Sequence, residues 1–206
     1  MPRPRKRGSK IGFIVDPFRQ RQVWYESILE ESVLAVLLAA PETLCVREQQ
    51  HVSFIRHGQK RSHYFDFVQR QARKRIAYAV KYEEDVDDDL RETLGLVCDQ
   101  VGDRFADEFH IITEKDLTKE QIENAGDILE CASDFDSEGQ AAVEAALRGL
   151  PSRVRLEEIV HAAGQGSRGR RAALTLIQKG LLKVPPAVRL CDDAVLVNRT
   201  VEDGAR

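Results

Sequence analysis

The chain lacks a long apolar run, paired cysteines and, behind its basic first residues, an apolar region of the length a secretory signal requires. A membrane-spanning helix needs about 20 consecutive apolar residues, so the first absence argues against a membrane span. The third removes the central region of a secretory signal, and a cytoplasmic protein with no membrane association is expected. Cys45, Cys98, Cys131 and Cys191 are scattered singly with no C-x-x-C spacing, which argues against a disulfide framework and predicts buried thiols. His51, His57 and His63 recur every six residues, a spacing that matches neither one helix face nor a zinc-ligand pattern. Charge of one sign is also missing overall, since 31 basic residues oppose 34 acidic ones.

What the chain does contain is an ordinary globular composition, 42% hydrophobic and 32% charged over 206 residues. That length accommodates a medium domain and a small accessory one, each organised around its own core. The charge is unevenly spread. Met1 to Lys10 carries Arg3, Arg5, Lys6, Arg7 and Lys10 with no acid, and a basic flexible tail is expected over residues 1–22. Two readings of it stand, a solubilising segment or a phosphate-backbone contact driven by counterion release.

Val23 to Ala39 reads as the first helix, with Trp24, Ile28, Val33, Leu34, Leu37 and Leu38 at helical spacing and Pro41 closing it. Glu30 shares the face of Val33, Leu34 and Leu37, Glu26 lies one turn earlier, and Glu31 points elsewhere. A carboxylate on an apolar face is costly unless a cation or a donor compensates it. Glu30 is therefore a candidate site residue or an edge residue reaching solvent. Thr43–Glu48 and His51–Arg56 read as extended, and Gly58 to Arg61 as a turn.

Two aromatic and β-branched segments follow, His63 to Val68 and Ile76 to Lys81, and read as adjacent strands. Each carries a charge at the margin of a core, Asp66 between two phenylalanines and Lys81 at the end of an apolar run. The acidic run from Glu83 to Asp89 leads into an amphipathic helix through Leu90, Leu94, Val97, Cys98 and Val101, where its acids cap and complement the dipole. Phe109 to Thr113 is a buried strand, and strand, helix, strand predicts a parallel pairing with a crossover. Thr118 to Gln121 opens another helix with a capping-box pattern, and the first domain is expected to span residues 23–133.

After a polar linker over residues 134–139, helices are expected at Gln140–Leu150, Leu156–Ala163 and Arg170–Gly180, then two short strands at Leu181–Lys183 and Ala194–Asn198. Three helices and a hairpin over residues 140–206 suggest a winged helix-turn-helix. Arg168, Arg170 and Arg171 would then place positive charge at the start of a recognition helix.

Glu26-Ser27-Ile28-Leu29-Glu30, Arg47-Glu48-Gln49, Phe65-Asp66-Phe67, Val80-Lys81 and Ile112 to Leu117 followed by Glu123-Asn124-Ala125 occur in an order and spacing that resembles the TnsA endonuclease family. These endonucleases are partners of cut-and-paste bacterial transposases. The resemblance covers about Trp24 to Cys131, and a C-terminal winged-helix-like unit is consistent with it. It implies an α/β, restriction-endonuclease-like fold, a mixed sheet flanked by helices, with a metal-dependent active site for cleaving double-stranded DNA. Position by position, Glu30 matches the helix glutamate, Asp66 the metal-binding aspartate and Lys81 the lysine. Glu30 and Asp66 would hold Mg²⁺ or Mn²⁺, and a transposase and an assembly ATPase would be the protein partners.

Ala79 departs from the pattern. The family carries a glutamate or glutamine two residues before the lysine, on the face the lysine shares. Glu26 or Glu48 could substitute, backbone carbonyl and water could suffice, or the domain could be a non-catalytic DNA-binding or assembly protein.

Overall fold

The computed structural model describes residues 9–201, which divide into two compact units, residues 9–38 with 43–117 and residues 39–42 with 118–201. Arg3, Arg5, Lys6 and Arg7 lie outside the described residues. Among the described residues no helix is long and apolar enough to cross a membrane.

The first unit opens with an antiparallel hairpin, β1 (Ser9–Asp16) and β2 (Arg21–Ser27), where a flexible tail and the start of a helix were expected. Burial alternates along β2, with Val23 and Tyr25 inside and Trp24 48% exposed, which is the period of a strand. The helical match of Trp24 with Ile28 was coincidental, since both face outward. Helix α1 (Ile28–Ala39) begins only after Ser27 and buries Val33, Leu34, Leu37 and Leu38.

A four-stranded mixed sheet follows in the order β3 (Cys45–Arg56), β4 (Gln59–Arg70), β5 (Arg75–Val80), β6 (Glu108–Ile112). Thr43–Glu48 and His51–Arg56, expected as two segments, are largely one strand. His57 and Gly58, both at positive φ, make the tight turn into β4. β5 and β6 run parallel, with helix α2 (Asp88–Gln100) in the connection, as the strand, helix, strand pattern predicts. Asp87 caps α2 by accepting the Leu90 N–H, so part of the acidic run serves the helix start.

One sheet face, with Val52, Phe54, Phe65, Ala77 and Ala79, packs against Leu94 and Val97 of α2. The other is tied to the end of α1 through polar links. Tyr78 donates to Gln69 (2.9 Å), Gln69 to Thr43 (2.5 Å), and Thr43 to the Leu37 carbonyl (2.6 Å). The four cysteines are free, and none is fully buried. Cys98 is exposed because it sits one residue, about 100° of helix, beyond the buried Val97.

The second unit contains helices α3 (Lys119–Ala132), α4 (Ser137–Leu147), α5 (Leu156–Ala163) and α6 (Gly166–Gln178). Its three-stranded antiparallel sheet has the order β7 (Arg153–Arg155), β9 (Val195–Asn198), β8 (Leu182–Lys183). Helix α3 has the full Thr118–Gln121 capping box, but it packs on α6 instead of closing the first unit. Buried Asn124 explains the attachment, donating to the Val188 carbonyl (2.7 Å) and accepting the Leu190 N–H (2.8 Å). Arg189 adds ion pairs to Glu123 and Asp127. The boundary therefore falls near Thr118, and the expected 134–139 linker contains the start of α4.

Candidate functional site

Where β4 and β5 meet, the ladder stops at Phe67 opposite Tyr78. Beyond it Asp66 Oδ2 accepts the Val80 N–H (2.7 Å), so a carboxylate takes over a position at the end of the ladder. On the other side of β4 the register is constant from Glu48–Phe67 to Gln50–Phe65, but the pair between them, Gln49 opposite Asp66, is missing from the ladder, and Gln49 has φ 49°. A non-glycine residue in that region costs on the order of 1 kcal/mol, and such strain clusters at functional sites. The parting strands border a cleft of 730 Å³ that takes in Glu26, Glu30, Gln49, Asp66, Lys81 and Tyr82.

The three residues singled out from the sequence, Glu30, Asp66 and Lys81, thus converge on one cleft. Asp66 is 9% exposed, and burial pushes its carboxyl above the usual range against the Val80 N–H and the Lys81 charge. Glu30 is 7% exposed and is also pushed up, first by burial and then by the Asp66 and Glu26 charges. Its oxygens are already engaged locally. Oε2 accepts the Glu26 N–H (2.8 Å), and Oε1 accepts the Ser27 hydroxyl (3.1 Å), whose oxygen accepts the Glu30 N–H (3.1 Å). This reciprocal arrangement satisfies donors at the start of α1, as a capping box does. Glu31, pointing elsewhere as predicted, accepts from Lys10 Nζ and the Tyr25 hydroxyl.

Lys81 follows the last residue of β5 and is held by its backbone N–H on the Ile112 carbonyl (3.0 Å). Its ammonium is in no ion pair among the described residues, and burial, helped by the Lys81 charge, pushes His63 below its usual pKa. Ala79 does not line the cleft. It is 1% exposed in the apolar core beside Leu94 and Val97, so the inference that it shares the lysine's environment fails once the strand ends at Val80. Of the two proposed substitutes, Glu26 lines the cleft and Glu48 pairs with Arg21.

Tyr64, Tyr82, Glu84 and Asp85 also line the cleft and were not singled out for it. Gln49 carries no sequence signal, because nothing local to it marks the unpaired position opposite Asp66. Among the described residues no three His, Cys, Asp or Glu side chains stand close enough to hold a metal ion alone. The donors present are nevertheless all hard oxygens, and Mg²⁺ is commonly held by one or two carboxylates with water completing its shell. Asp66 and Glu30, with Glu26 at the rim, fit that modest requirement.

In the second unit the three arginines of α6 each meet an acid. Arg168 binds Asp136, the N-cap of α4, and Glu138; Arg170 binds Asp192; and Arg171 binds Asp134. Arg168 and the Gly139 N–H hold the Asp136 carboxyl down at about 2. Fold and cleft together define an α/β protein with a mixed four-stranded sheet flanked by helices and a buried acid of β4 bonded to the last residue of β5. No protein-family model matches the chain, and no curated protein matches it.

Proposed function

We propose that the chain is a metal-dependent DNA endonuclease of TnsA type, with the cleft between β4, β5 and the start of α1 as its active site. The observation that carries this reading is the buried Asp66 carboxylate, raised by burial, in one cleft with Glu30 and Lys81. Glu26, Glu30, Asp66, Glu84 and Asp85 against a single lysine make a cleft that repels a phosphodiester unless a cation intervenes. In this reading Asp66 and Glu30 would hold Mg²⁺ or Mn²⁺, which when bound supplies phosphate polarisation and a more acidic water. Lys81 orients the attacking water or neutralises charge developing on the phosphate. The first unit is then restriction-endonuclease-like and the second winged-helix-like, with double-stranded DNA, a transposase and an assembly ATPase as partners.

Nicking of supercoiled plasmid in Mg²⁺ or Mn²⁺ tests the reading. Wild type is expected to nick, and Asp66→Ala and Lys81→Ala to lose nicking by on the order of a hundredfold or more. Equal cleavage by wild type and Asp66→Ala would exclude this centre.

A second reading, a non-catalytic DNA-binding or assembly protein on the same fold, is favoured by the engagement of both Glu30 oxygens in the helix cap. It predicts duplex binding with no nicking in either metal.

A further inference from the structure

The outward face of the β7-β9-β8 sheet carries three cations with no acidic partner among the described residues. Val154, Leu196 and Leu182 point into the core of the second unit, each 1% exposed or less. Their neighbours alternate to the other side. Across the sheet Arg153 stands opposite Val197, and Val197 opposite Lys183, so the two cations share a face about 10 Å apart, two strand spacings of about 4.8 Å. Arg199, two residues beyond Val197, extends the same side. All three are exposed and border one shallow concavity of 550 Å³ with Pro185, Pro186 and Val197.

No carboxylate among the described residues lines that concavity, and none pairs with Arg153, Lys183 or Arg199. Arg155, on the same face opposite Val195, is held by Glu157 and is left out of the patch. The contrast with α6 is direct. Its three arginines would have to give up acidic partners to reach a phosphate, whereas Arg153, Lys183 and Arg199 have none among the described residues.

We propose that this sheet face grips the phosphate backbone of duplex DNA through Arg153, Lys183 and Arg199, which makes the sheet, not the start of α6, the principal DNA contact of the second unit. The proposal rests on the DNA reading above and extends it to a surface outside the cleft. Three cations on a twisted strand face, with two valines and two prolines between and beside them and the Asn198 amide buried on the Leu147 carbonyl, suit a sequence-independent backbone contact.

The test uses the full chain and a fluorescein-labelled 30-base-pair duplex of arbitrary sequence, with anisotropy recorded from 50 to 200 mM KCl. The triple variant Arg153→Gln, Lys183→Gln, Arg199→Gln is expected to bind about tenfold or more weakly. The slope of log affinity against log salt should become shallower by roughly 2 to 3, from about 0.9 per phosphate contact. A charge-matched control, Arg73→Gln, Arg91→Gln, Arg148→Gln, removes three exposed cations elsewhere and is expected to keep the wild-type slope. Lys183→Glu alone is expected to weaken binding more than Lys183→Gln, with an unchanged melting temperature.

Wild-type binding by the sheet triple, or equal losses in both triples, would overturn the proposal while leaving the endonuclease reading intact, since nicking is scored separately. Sheet-dependent binding to phosphatidylserine vesicles in place of the duplex would also overturn it. Failure of the wild type to bind any duplex would remove both readings together.

Discussion

Glu30 shows how one carboxylate can satisfy a local need and still belong to a charged site. Its oxygens cap the start of α1, yet burial and the carboxylates of Asp66 and Glu26 push it toward its protonated form. Asp66 is pushed the same way by burial. For a carboxyl raised on folding, the protonated form is favoured in the native state. Its stabilising contribution is complete below the ordinary carboxylate range and is lost as pH rises through the raised native value. Asp66→Asn keeps an acceptor for the Val80 N–H and removes the charge. In metal-free protein the variant is therefore expected to gain stability relative to wild type as pH rises from 4 to 7, as measured by urea unfolding at each pH. Added Mg²⁺ at pH 7 is expected to raise the melting temperature of wild type and to leave that of Asp66→Asn unchanged. A stability difference independent of pH would show that Asp66 is not strained by its burial.

Among the elements, the β1-β2 hairpin is the one that sequence periodicity misread. Val23, Tyr25 and Trp24 fit a helical pattern and a strand pattern over so short a stretch, and the strand prevails because β1 supplies a partner ladder. Gly12 lies in β1 beside the Tyr25 ring. A Cβ there would overlap the Tyr25 hydroxyl and its ring carbon. Gly12→Val is expected to displace Tyr25, break its bond to Glu31 (2.7 Å) and lower the melting temperature by several degrees. Gly95→Ala, where a Cβ meets open space within α2, is the control expected to hold or raise it. Elements with strong local signals were legible: the Thr118 capping box, the acidic cap of α2 and the parallel β5-β6 pairing all follow from short patterns. Three-residue β7 was not, because Arg153-Val154-Arg155 has no signal until β9 pairs with it.

For the whole molecule, the division into two units turns on α3. By sequence it closes the first domain, but its buried residues Ala125, Ile128, Leu129 and Ala132 belong to the second unit. A fragment of residues 118–206 is expected to melt cooperatively by circular dichroism, and one of residues 134–206 to lack a cooperative transition, because it leaves the α3-facing side of α6 uncovered. Cooperative melting of the shorter fragment would mean that α3 is an accessory to that unit.

The sequence alone determined the helices with caps, the parallel β5-β6 pairing and the candidate residues Glu30, Asp66 and Lys81, because these depend on short patterns and on charges set against apolar neighbours. Only the tertiary structure decided that Glu30 is also a cap, that Ala79 is core and that Glu26 reaches the cleft while Glu48 does not. It alone decided, too, that the arginines of α6 are paired with acids while Arg153 and Arg199 of the sheet face meet none among the described residues. Each of these depends on which distant donor or acid a side chain meets. That is set by strand register and helix packing, and no spacing along the chain encodes it.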